Sequence, residues 1–186
     1  MAKNKILIAK NNLTPKEVIE TIRVGFKPDK AYGVDGTGLR QPQVGALHAI
    51  VSHWTVDPSK VATVVMPTGT GKTETMLATI AATRPTKLLV IVPTSALRKQ
   101  ISQKIYSWGI LKNIGVIDEK VENPIVGVVS HKFKSQSEAD EYIEKCNVIV
   151  STVSALEQSE EKVRSSLMSG ISHIFIDEAH HTATKT

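Results

Sequence analysis

The sequence holds one cysteine, Cys146. An intramolecular disulfide is therefore impossible, and a structural zinc cluster is not expected. Aromatic residues make up only 4% of the chain. A platform of rings on which bases stack is thus not the obvious way for it to meet a nucleic acid. No apolar run approaches the roughly 18 residues that a membrane span requires. Residues 1–10 are basic but contain an apolar stretch of only four residues, Ile6 to Ala9, too short for a signal peptide. Internal repeats and low-complexity tracts are also missing. These absences point to a soluble, cytoplasmic protein.

What is present fits an ordinary folded chain. Its 186 residues are 41% hydrophobic and 22% charged, enough for a buried core without staples. The net charge of +5 is unevenly spread. Residues 1–117 carry 16 basic and 6 acidic side chains, whereas residues 118–186 carry 7 basic and 12 acidic ones. Such asymmetry permits a basic face that meets phosphates, and equally an unremarkable solvated surface.

Thr14-Pro15-Lys16-Glu17 reads as a helix start, with Thr as N-cap, Pro in the first turn and Glu closing a capping box. That helix is expected to stop near Gly25. Residues 25–38, rich in Gly and Pro, read as a linker, and a second helix starts near Gln41-Pro42. Five short β-branched runs follow: Val61 to Met66, Lys87 to Val92, Ile125 to Val129, Asn147 to Ser151 and His173 to Asp177. Each is continuous rather than alternating, the pattern of a central strand buried on both faces. Helical stretches at 72–83, 95–107, 135–145 and 159–168 alternate with them. The expectation is an α/β fold, a parallel sheet flanked by helices on both faces. Ligand sites in such sheets gather at the carboxyl ends of the strands.

Two motifs fall there. Pro67-Thr68-Gly69-Thr70-Gly71-Lys72-Thr73 follows the first run and opens a helix. Gly69 and Gly71 bare the backbone N–H groups so that they can wrap a phosphate, and the helix N-terminus adds positive potential. Lys72 is suited to the β- and γ-phosphates of ATP, and the Thr73 hydroxyl to Mg²⁺. The strict phosphate-loop pattern has glycine six residues before the lysine, where this chain has Met66. The second motif, Asp177-Glu178-Ala179-His180, ends the last run, 105 residues after Lys72. Asp177 is suited to orient the water of a bound Mg²⁺, and Glu178 to polarise an attacking water.

Together these residues resemble superfamily 2 helicases and translocases of the DEAD/DEAH-box type, over roughly residues 39–181. Thr68 to Thr73 resembles motif I, and Asp177 to His180 resembles motif II. Pro93-Thr94-Ser95-Ala96-Leu97-Arg98-Lys99-Gln100 is similar to motif Ia. Ser151-Thr152-Val153-Ser154 is similar to the next strand-end segment. Leu39-Arg40-Gln41-Pro42-Gln43 is similar to the segment upstream of motif I. Asp-Glu-Ala-His followed by His181 is frequent in type III restriction subunits and related DNA translocases, the subgroup the chain looks most like.

The resemblance implies a RecA-like P-loop NTPase lobe spanning residues 39–186, preceded by an extension at 1–38. It assigns Arg40, Gln43, Pro67, Thr68, Gly69, Thr70, Gly71, Lys72 and Thr73 to ATP. Gln43 would read the adenine edge. Thr73 and Asp177 fall to Mg²⁺, Glu178, Lys72 and Asp177 to catalysis, and His180 to coupling. Thr94, Ser95, Arg98 and Thr152 are assigned to the nucleic-acid backbone. Thr94 and Ser95 serve equally well as helix N-caps. The nucleic acid would be DNA in preference to RNA. A second RecA-like lobe, absent from these 186 residues, or a partner protein would complete the motor. The lobe itself would then be incomplete at its carboxyl end and weak in hydrolysis alone; Thr182-Ala183-Thr184 sits too near motif II to be the family's downstream motif. The competing reading is a stand-alone nucleotide- or nucleic-acid-binding module that works through a partner.

Overall fold

Hydrophobic demand over the second half of the chain is met by strands separated by helices, with two helices in succession before the last strand. A computed structural model describes residues 3–9, 13–32 and 37–179. His180, His181 and Thr182 to Thr184 lie outside the described residues, as do Gly33 and Gly36. The elements are β1 (Lys5–Leu7), α1 (Pro15–Gly25), α2 (Pro28–Ala31), α3 (Gln41–Val56), α4 (Lys72–Thr83), β2 (Leu88–Val92) and α5 (Ser95–Ser107). They continue with β3 (Val126–Val129), α6 (Gln136–Lys145), β4 (Val148–Thr152), α7 (Val153–Glu157), α8 (Glu161–Ser169) and β5 (His173–Ile176). The described residues fall into two compact units. The first draws on Met1–Ile19, Pro85–Ser107 and Asn123–Thr186, the second on Glu20–Arg84 and Trp108–Glu122.

The first unit contains a five-stranded sheet in the order β1-β3-β4-β2-β5. β3, β4, β2 and β5 run parallel, and β1 pairs antiparallel with β3. Every residue of β2, β3 and β4 is buried, as their continuous apolar runs require. Gly127 in β3 has a packing reason: a Cβ there would lie 2.7 Å from the Tyr142 ring and 2.9 Å from Cys146 Sγ. Its absence lets α6 close on the strand. Tyr142 also meets Phe133 edge-on, at 5.3 Å between ring centroids. Asn147 joins three segments, accepting from the Ile125 N–H and donating to the Pro15 carbonyl. The capping box at the start of α1 forms as expected. Glu17 accepts from the Thr14 N–H at 2.8 Å, which holds its carboxyl below the usual range, and Thr14 Oγ1 accepts from the Glu17 N–H.

The second unit packs α3 against α4 and folds the 108–122 segment onto the end of α1. Buried Trp108 donates its indole N–H to the Glu122 carbonyl, while Lys112 bridges the carbonyls of Glu119 and Val121. The Tyr32 ring lies 4.6 Å from that of His48.

Two expectations are corrected here. Residues 61–66 form no strand: the segment is irregular, with Val61 87% and Val65 90% exposed. Their β-branched composition favours extension, but no neighbouring strand among the described residues takes up their backbone groups. β5 is not buried on both faces. It pairs with β2 alone, on the margin of the sheet, and its residues alternate between half-buried and exposed. The stretch 25–38, expected as linker, includes the single turn α2, whose Ala31 is buried. Strand β1 and helix α7 were not anticipated.

Candidate functional site

Helix α4 begins at the glycine-rich loop. Gly71 is its N-cap with φ +92°, and Gly69 has φ +82°. Both lie in the left-handed region that glycine tolerates. No side chain caps the helix at Gly71, and the first intrahelical bond runs from the Thr75 N–H to the Gly71 carbonyl. Thr70 turns inward to donate to the Pro67 carbonyl, and a Cβ built on Gly69 would meet nothing within 4 Å. A left-handed glycine loop opening a twelve-residue helix, with Lys72 and the Thr73 hydroxyl in its first turn, is a set of residues that could hold a phosphate chain with its Mg²⁺.

Gln43 is brought to this loop. Its side chain fills the space that a Cβ on Gly71 would take. It is buried, and its Oε1 accepts from the Arg40 N–H at 2.8 Å. The Arg40–Gln43 pair therefore also shapes the start of α3, a structural task added to the nucleotide role the resemblance implies.

In the first unit, the parallel register lines up three of the sequence segments. Val92 stands beside Thr152, Ile91 beside Ile176, and the Asp177 N–H extends the ladder to the Ile91 carbonyl at 2.9 Å. The ends of β2, β4 and β5 thus share one edge of the sheet. Glu178, just past that edge, has φ +52°, a left-handed conformation that costs a non-glycine residue about 1 kcal/mol. His180 lies outside the described residues.

At this edge a groove of about 340 Å³ is lined by Pro93, Ser95, Arg98, Ser130, His131, Thr152, Ser154, Ala155 and Gln158. Arg98 is its most informative member. The side chain is only 8% exposed, and burial works against its charge. Among the described residues it has no carboxylate partner. Every fully enclosed side-chain polar atom among those residues is hydrogen-bonded, so the unpartnered guanidinium keeps its polar edge open to the groove. Its partial loss of solvent works against the charge, and an anion in the groove would offset that effect.

Not all expected backbone-binding residues share the groove. Thr94 does not line it, and its Oγ1 caps α5 by accepting from the Leu97 N–H. Thr152 does line it, while its Oγ1 accepts from the Ala155 N–H as the cap of α7. Ser130, His131 and Gln158 are groove residues that sequence reasoning missed. They stand in two loops without a motif, Ser130 and His131 after β3 and Gln158 after α7, and only the fold unites them.

The family model for the type III restriction enzyme res subunit matches residues 37–186. The chain belongs to this family. No curated protein matches it. The res-subunit family is one of superfamily 2 helicase-type N-terminal domains, so the sheet and its helices constitute a RecA-like α/β fold. Membership implies a parent that hydrolyses ATP as a helicase or translocase. No helix among the described residues is long and apolar enough to cross a membrane.

Proposed function

We propose that this res-subunit domain is the ATP-binding motor lobe of a DEAH-type helicase or translocase, acting in the cytoplasm on nucleic acid, with DNA favoured over RNA. Residues 39–186 form the lobe, and residues 1–38 are its extension. The observation that carries the reading is the left-handed glycine loop, Gly69 to Gly71, that opens α4 directly before Lys72 and Thr73.

In this reading Pro67 to Gly71 wrap the phosphates of ATP with backbone N–H groups, and Lys72 supplies a charge to the terminal phosphates. Thr73 and Asp177 hold Mg²⁺, largely through water; when bound, the ion offsets the charge of the phosphates. Glu178 polarises the attacking water, Arg40 and Gln43 serve the adenine end, and His180 couples nucleotide to nucleic acid. Ser95, Arg98 and Thr152 take the nucleic-acid backbone, with Thr94 acting through the start of α5. A second RecA-like lobe or a partner protein supplies the transition-state arginine, worth about 10³–10⁵ in rate. Turnover by these 186 residues alone is accordingly slow.

Binding of a fluorescent, slowly hydrolysed ATP analogue in the presence of Mg²⁺ tests the reading. Lys72→Ala should weaken it by about 10- to 100-fold, the loss of a charge-assisted contact. Glu178→Gln should leave affinity intact and remove turnover from an assembled motor. Unchanged affinity in Lys72→Ala would remove the phosphate-loop assignment.

A further inference from the structure

The loop after β3 forms one wall of the groove, and one of the side chains that hold it lies outside the family-matched stretch. Asn4 immediately precedes β1. Its Oδ1 accepts from the N–H groups of both Ser130, at 2.8 Å, and His131, at 3.0 Å. Its Nδ2 donates to Glu138 Oε1 at 3.1 Å. The other oxygen of Glu138 accepts from the Lys134 N–H, and Ser159 Oγ accepts from the Phe133 N–H. The loop therefore satisfies its backbone donors with side chains from two distant segments and from the first turn of α6.

The placement of Asn4 follows from the strand pairing. Antiparallel register sets Lys5 opposite Val128, so the residue before β1 reaches the place where β3 ends and its ladder runs out. An asparagine there offers one oxygen to two successive amides, and its amide end meets a carboxylate. Without it, the Ser130 and His131 amides would need water, and the turn that presents His131 to the groove would lose its anchor.

We propose that Asn4 is a positioning residue for the groove. It fixes the 130–131 turn so that His131 joins Arg98 in contacting the phosphate backbone, making the N-terminal strand a working part of the nucleic-acid site. This rests on the reading of the groove given above. The alternative is that β1 merely closes the sheet margin.

The test uses the whole chain and a labelled single-stranded oligonucleotide of mixed sequence, DNA and RNA in turn, titrated by fluorescence anisotropy. His131→Ala should weaken binding by about three- to tenfold, the scale of one ordinary hydrogen bond made at an exposed position. Asn4→Ala should weaken it by no more than that. The double variant should bind no worse than the weaker single one, because both changes remove one contact. Asn4→Asp combined with Glu138→Gln exchanges the amide and carboxylate, keeps each hydrogen bond available, and should restore affinity. Arg98→Ala should weaken binding and flatten its salt dependence by about one charge. Should Asn4→Ala fail to fold in a thermal melt, His131→Ala and the exchange variant decide. Additive losses, or no effect of His131→Ala, would overturn the proposal while an effect of Arg98→Ala keeps the groove reading. Absence of binding by the unaltered chain would remove both.

Discussion

Two stretches of similar composition have opposite fates in this molecule. Leu88 to Val92 and Val61 to Met66 are both β-branched, both apolar, and both lead through Pro-Thr into a helix. The first is β2, paired on both sides and wholly buried. The second is irregular and largely exposed. Composition states how much a segment gains from burial. Whether it becomes a strand depends on neighbours that accept its backbone hydrogen bonds, and those come from elsewhere in the chain.

The contrast breaks most readily by placing the same charge in both stretches. Val90→Asp buries an unpaired carboxylate in the centre of the sheet and should cost more than about 4 kcal/mol, enough to leave the chain unfolded. Val65→Asp should change stability by less than about 0.5 kcal/mol. Urea denaturation followed by circular dichroism measures both, and a comparable loss from the two would mean that 61–66 is packed in solution.

A smaller effect separates the two loop glycines. Gly71→Ala forces a Cβ into the Gln43 side chain as well as into φ +92°. Gly69→Ala meets open space at φ +82° and carries only the backbone penalty of about 1 kcal/mol. Thermal melts should therefore show Gly71→Ala as the less stable variant. Equal losses would place Gln43 away from the loop.

The smallest effect concerns the margin of the sheet. Burial depresses the pKa of His173, which pairs with Leu88 at the start of β5. With its folded value below its unfolded one, the unfolded chain binds the extra proton first. The contribution is present above the unfolded value near 6.5 and fades as pH falls toward the folded one. His173→Gln should flatten this part of the stability profile between pH 7.5 and pH 5 (roughly the window of histidine titration). An unaltered profile would assign the slope to other groups.

Several elements could be read directly from the residues because their signals are local. Helices α4 and α5 follow from a glycine or Pro-Thr stop, a capping position and a helical run, and they span 72–83 and 95–107 as expected. Parallel strands β2, β3 and β4 follow from continuous apolar runs. β1 escaped notice because three residues carry no measurable period, and its pairing with β3 is made across more than a hundred residues. The glycine loop was readable for the same reason as α4. The groove was only partly so: Ser95, Arg98 and Thr152 belong to strand-end segments with a recognisable pattern, while His131 and Gln158 enter it through topology. Burial of Arg98 was also invisible, since an arginine on a helix reads as surface until the neighbours of that helix are known.

Cys146 has a practical consequence. The only thiol of the chain is fully enclosed at the end of α6, against the open face of Gly127, and burial pushes its pKa up to about 12. A thiol in that state is neither accessible nor ionised at neutral pH, so alkylation must wait for the seam between α6 and β3 to part. The rate of labelling by iodoacetamide is then a clock for that parting, readable by mass spectrometry without adding a probe to the sequence.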